Sequence, residues 1–192
     1  MGKRVYIGLA VVALALIGVI VWRVTQPPDE PVYRGKPLSE WLDTINVSDV
    51  QAANDAVRQA DTNAIPALLR MLKAKDSPLK VNLMRLVQSQ HIFKVHYTPA
   101  KVWNSAGCWG FAILGKKGQR AVPQLIEIVH QKISPDSQSS AIYALDVVGP
   151  SAKEVVPSLL RWATNANEGV RFSAIRFLRR IDPEAAAKAG VK

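Results

Sequence analysis

Three stretches of the chain repeat one another: Ala64-Ile65-Pro66-Ala67-Leu68-Leu69, Ala121-Val122-Pro123-Gln124-Leu125-Ile126 and Val155-Val156-Pro157-Ser158-Leu159-Leu160. The last two prolines lie 34 residues apart, and each motif leads into a second apolar-periodic stretch. Self-similarity at a fixed period is the mark of a solenoid, whose units bury their apolar faces only against neighbours. Such folds hold other molecules more often than they transform them.

The N-terminus adds a second constraint. Lys3 and Arg4 precede an uncharged run from Val5 to Trp22, closed by Arg23. At about 1.5 Å per residue the run gives roughly 27 Å of helix, close to the ~30 Å hydrocarbon core of a bilayer. Two readings are open. A cleaved signal peptide would use Ala13-Leu14-Ala15 as its small-residue site, but that site sits inside the run. An uncleaved signal anchor uses the whole run, with Tyr6 and Trp22 near its ends. The anchor is preferred, so 1–24 is expected to be a transmembrane helix. More Lys and Arg precede the run than follow it, which places the N-terminus in the cytoplasm and the rest outside it, on the periplasmic side. No cysteine directly follows the run, which excludes the lipoprotein route, and the single Cys108 has no intramolecular disulfide partner.

Thr25 to Pro31 holds three prolines and favours an extended spacer, so 25–36 reads as a linker and 37–192 as one helical repeat domain. The chain carries +10, and nearly all of that belongs to the domain: without Lys3, Arg4, Arg23, Asp29 and Glu30, 22 basic and 13 acidic residues remain. Such a charge favours anionic partners and also keeps a protein soluble.

The periodicity predicts four helix pairs. The first joins a helix at Leu38–Leu42 to one over Asp49–Gln59. In the second, Asn63 caps a helix with Pro66 in its first turn, burying Ile65, Leu68, Leu69 and Leu72; its partner is Leu79–Gln88. The third pairs Ala121–His130 with Ser137–Val148, and the fourth pairs Lys153–Ala163 with Val170–Ile181. Asp182-Pro183 opens a last, alanine-rich helix suited to close the array. Strand signals are nearly absent.

The proline-and-leucine helix, polar turn and Val170-Arg171, Ala174, Leu178 pattern of the fourth unit resembles HEAT repeats of the short bacterial kind seen in phycobilisome-lyase-like proteins. The second unit has Leu79-Lys80 in place of Val-Arg, and the third departs further with Ser137-Gln138. The resemblance covers about 38–181. It implies an all-α, right-handed α-solenoid of about four HEAT-like helix pairs behind the transmembrane helix, and it specifies fold rather than activity.

Two surfaces are candidates for partner binding. On the last repeat helix, Phe172, Arg176 and Arg179 point away from the apolar stripe, flanked by Arg171 and Arg180; alignment with Leu79–Gln88 adds Arg85. The bland alternative is a solvated face whose late arginines suit the helix dipole. The second surface is an excess of 23 residues: Pro66 to Pro123 spans 57, not 34, and the surplus carries Phe93, Tyr97 and Trp103 with Lys94 and Lys101. Its bland alternative is an extra helix, Pro99–Leu114, with its aromatics in the core.

Chemistry finds little footing. His91 and His96 share no helical face, and no Asp or Glu lies between Asp76 and Glu127 to complete a metal site. Cys108 lies in a small-residue packing stretch, and Gly115-Lys116-Lys117-Gly118 lacks the strand a phosphate loop requires. No cofactor, metal or catalytic residue is expected. The leading reading is a non-catalytic, membrane-tethered scaffold binding a protein outside the cytoplasm. The alternatives are a nucleic-acid binder, as in HEAT-like glycosylases, which the expected location disfavours, and a lyase-type enzyme using Cys108 or a histidine.

Overall fold

The computed structural model describes residues 29–43, 49–78, 81–82, 84–85, 97–149 and 152–190. The expected membrane span, with Phe93, Lys94, His91 and His96, lies outside them. Among the described residues no helix is long and apolar enough to cross a membrane. The described chain is almost entirely α-helical: α1 (Leu38–Asp43), α2 (Val50–Ala60), α3 (Ile65–Leu72), α4 (Ala100–Leu114), α5 (Val122–Gln131), α6 (Pro135–Val148), α7 (Ala152–Trp162), α8 (Glu168–Ile181) and α9 (Pro183–Lys188).

Folded structure starts earlier than expected. Part of the supposed linker forms a hairpin, β1 (Val32–Tyr33) and β2 (Lys36–Pro37), turning through Arg34 and Gly35 at φ of 46° and 78°. Two positive φ angles match the twist of a tight hairpin. The hairpin is fastened to α1: the Trp41 indole donates to the Tyr33 carbonyl at 2.8 Å. Just before it, the Glu30 carboxylate accepts from the N–H and the hydroxyl of Ser39, at 3.1 and 2.6 Å. Arg70 meets the same carboxylate at 3.2 Å. The alternation expected of a strand is invisible in two residues, which is why the sequence reads as helix and spacer alone.

The helices start and stop where local chemistry dictates. Asp49, Ser134, Asn167 and Asp182 each accept a backbone N–H from the first turn that follows them, satisfying donors a helix leaves unpaired. Asn63 does not act in this way: Asp61–Ala64 is a 3-10 turn running directly into α3. Within α3, Ala67 and Met71 are buried beside Leu68 and Leu72, while Ile65 and Leu69 are half-covered.

The largest correction concerns the second pair. The described second helix packed on α3 is α4. Of the expected helix Leu79–Gln88, only Val81, Asn82, Met84 and Arg85 are described, all helical, and the rest lies outside the described residues. The surplus residues are thus inserted inside the second pair, and Pro99–Leu114, read as an extra helix, is its second member. Asp76 closes the insertion by accepting the Ala100 N–H at 2.8 Å. The pairs α3/α4, α5/α6 and α7/α8 follow in order, with α4 against α6, α6 against α8, and α9 packed on α8.

The three second helices share one register. Gly115, Gly149 and Asp182 end them, each N–H returning to the carbonyl four residues back: Phe111, Leu145 and Leu178. Counting from these ends, Gly107, Ala141 and Ala174 coincide, as do Gly110, Ala144 and Phe177; all are buried. Asn104, Gln138 and Arg171 also coincide, and each donates to carbonyls at or just beyond the end of its own first helix. The Asn104 amide reaches Met71, Leu72 and Ala74 at 3.0, 3.0 and 3.2 Å. Gln138 reaches Val129 at 2.9 Å, and Arg171 reaches Asn165 and Ala166 at 2.8 and 3.2 Å. Three different residue types thus hold the chain where a first helix ends: Asn104 and Gln138 satisfy orphan carbonyls of the helix C-terminus, and Arg171 those of the turn that follows.

A candidate docking face on the second helices

Since α4, α6 and α8 lie side by side, residues in equivalent positions form rows across them. One row is Trp109, Tyr143 and Arg176; the next is Ser105, Ser139 and Phe172. Between the helices is an open depression of about 360 Å³, lined by Ser105, Cys108, Trp109 and Ala112 of α4, Ser139, Ser140 and Tyr143 of α6, and Ser173 of α8. Its lining is mostly apolar, with Cys108, Trp109, Ala112 and Tyr143 set among the serine hydroxyls; Tyr143 is 40% exposed, and Phe172, beyond the depression on α8, is 66% exposed. Exposed aromatic side chains are costly to leave in water and are enriched where partners dock.

One end of this face is positive. The Arg176 guanidinium lies 4.7 Å from the centre of the Tyr143 ring, a cation–π contact, and 3.6 Å from the Asp146 carboxylate. Arg180 reaches that carboxylate at 2.5 Å and donates to the Asp146 backbone carbonyl as well. Asp146 is nearly buried, and burial raises its pKa above the usual carboxylate range while Arg180 and Arg176 pull it down. Arg179 is exposed. Two arginines therefore share one carboxylate, and Arg179 on the same helix stands apart from it.

The residues singled out from sequence divide. Phe172, Arg176, Arg179 and Arg180 gather at the α8 end of this face. Arg171 does not join them, being held by the carbonyls of Asn165 and Ala166. Arg85 is exposed, and in the row formed by α4, α6 and α8 the position matching Arg176 is held by Trp109. Trp103 is half-buried against the core and lines a separate hollow of about 450 Å³ with Arg70, Lys73 and Lys75. Tyr97 is half-buried, its phenol pKa raised first by a hydrogen bond with Asp76. Phe93 lies outside the described residues.

The register of the third unit does place Tyr143 and Asp146 opposite the arginines of α8, whereas Trp109 and the serines were missed. The signal that finds them is the C-terminal register, available only once Gly115 is taken as the end of a repeat helix.

Nucleophilic and metal chemistry have poor material here. Burial pushes the Cys108 thiol up to about 12, with Arg176 acting the other way, so it is protonated at neutral pH, whereas the thiolate is the reactive form. Among the described residues no cluster of three His, Cys, Asp or Glu side chains could hold a metal. His130 sits at the end of α5 in contact with Arg161, its ring centre 5.5 Å from that of Trp162. Burial, then Arg161, lowers its pKa, against Glu127.

No protein-family model matches the chain, and neither a curated protein nor a solved structure matches it.

Proposed function

We propose that this protein is a non-catalytic scaffold of the HEAT-repeat kind, a short α-solenoid tethered by its N-terminal apolar run, that docks a protein partner outside the cytoplasm. The observation that carries this reading is the row of second helices, α4, α6 and α8, presenting Trp109 and Tyr143 at an open, mostly apolar groove dotted with serines, with Phe172 exposed beside it. Several aromatics on rigid helices give a partner a large contact area at small cost in side-chain entropy. The apolar run from Val5 to Trp22 and its charge asymmetry support the tether and its orientation.

The test is a photo-crosslinking residue placed at Tyr143 or Phe172 in intact cells, with Glu184 on α9 as the control position. One dominant protein adduct from both groove positions, absent from the control, is the expected result. Equal adduct patterns from groove and control would overturn the docking face.

A further inference from the structure

We infer that the groove takes an extended, acidic, proline-rich peptide in the polyproline II conformation; this rests on the docking reading and names its ligand. Geometry comes first. Packed helices lie about 8–10 Å apart, so equivalent side chains on α4, α6 and α8 recur with that spacing. A polyproline II chain rises ~3.1 Å per residue with three residues per turn, so one turn spans ~9.3 Å and keeps step with the helices. A β-strand repeats every ~6.6–6.8 Å and loses step within two helices. Four serine hydroxyls set among the aromatics suit a ligand whose backbone carbonyls are free, which an amphipathic helix does not offer.

Chemistry agrees with geometry. A polyproline II backbone makes no internal hydrogen bonds and offers its carbonyls outward. The hydroxyls of Ser105, Ser139 and Ser140 and the Trp109 indole are donors of the right kind along the groove. Trp109 and Tyr143 border the same depression on adjacent helices, and aromatic-lined grooves are how such ligands are held. At the α8 end, Arg176, Arg179 and Arg180 outnumber Asp146, which calls for acidic residues in the ligand. The chain's own Pro27-Pro28-Asp29-Glu30-Pro31 has this composition, but Glu30 is held by Ser39 and Arg70, and the Pro31 carbonyl by the Leu38 N–H at 2.9 Å. The occupant therefore belongs to another protein.

The experiment measures fluorescence anisotropy of labelled 12-residue peptides with the full chain in mild detergent. Repeats of Pro-Pro-Asp are compared with Gly-Gly-Asp, which has the same charge on a flexible backbone, and with Pro-Pro-Lys. The Pro-Pro-Asp peptide is expected to bind at least about tenfold tighter than either, and Trp109→Ala to weaken it by about tenfold or more, as for a central aromatic anchor. Arg176→Gln is expected to weaken it about threefold and to flatten its salt dependence. Should Trp109→Ala fail to fold by circular dichroism, Ser139→Arg, which fills the groove from a half-buried position, tests the same point.

Equal affinity for the proline and glycine peptides would overturn the inference, as would binding indifferent to the groove variants. No binding at all, or a dimer dissociated by the groove variants with no peptide bound, would overturn it too. In each of these cases the crosslinks from Tyr143 and Phe172 report separately: a dominant partner adduct keeps the docking face with a different ligand, and its absence removes both.

Discussion

Asp146 holds a carboxylate that is 8% exposed between two arginines that are about half exposed. Burial, the largest influence, disfavours the charged form; the arginines, screened by water on their outer sides, recover only part of that. The folded pKa therefore lies above the unfolded one. Between those two values the folded state binds more protons, so this group makes stability fall as pH rises through that window, with the loss complete above the folded pKa. Asp146→Asn cannot titrate. Urea unfolding of both proteins from about pH 3 to pH 8 is expected to show wild type losing ground to Asp146→Asn up to the folded pKa and holding level beyond it. Wild type gaining ground instead would mean that the arginine attraction outweighs burial. The burial of Asp146 and its two partners depend on the packing of α6 against α8, which no sequence pattern displays. The same holds for Asn104, Gln138 and Arg171, whose common role is hidden by three different side chains.

Helix α4 lies so close to α3 that glycine is required at two of its positions. A Cβ on Gly107 would stand 2.8 Å from the Leu68 carbonyl oxygen and 3.1 Å from the Met71 Cβ, and one on Gly110 would overlap the Leu68 side chain. Overpacking costs roughly 1–3 kcal/mol, while replacing a mid-helix glycine by alanine returns about 1 kcal/mol. Gly107→Ala, whose nearest obstacle is backbone, is therefore expected to destabilise by up to about 2 kcal/mol in urea unfolding. Gly110→Ala should behave alike but be relieved by Leu68→Ala, the double variant costing less than the two singles together. Leu68→Ala should give Gly107→Ala little relief, since its nearest obstacle is backbone. Additive costs at Gly110 would contradict the close α3–α4 seam. This seam explains why the second pair was misread. Leu79–Gln88 shows leucines at helical spacing, whereas Ser105-Ala106-Gly107-Cys108-Trp109-Gly110 shows little contrast between faces because both sides of α4 are covered, by α3 and by α6. Periodicity finds helices with one wet face. It found α5, α7 and α8 to within a few residues and missed the role of the helix buried on two sides.

The proposed solenoid makes a thermodynamic claim about the whole molecule. When each pair touches only its neighbours, stability is a sum over pairs and seams, and end pairs open more cheaply than central ones. The bonds between pairs point the same way. Ser137 on α6 donates to the Leu72 carbonyl of α3 at 2.6 Å and is fully buried, tying the third pair to the second through the core. Towards the C-terminus the polar ties are Arg176 and Arg180 to Asp146, which water reaches from outside. At the end, α9 buries only Ala186 and exposes Glu184, Ala187 and Lys188, the polar outer face a terminal element needs. Hydrogen exchange of the full chain at low urea is expected to grade along the stack: amides of α9 and then α8 exchanging through cheaper openings than those of α4, α5 and α6. Rising urea should merge α8 with the central helices only near the global transition. Equal protection from α3 to α9, collapsing at one urea concentration, would mean a single cooperative core. The helix pairs would then be a packing pattern without one-dimensional energetics, and the groove would be as rigid at its α8 end as at its α4 end.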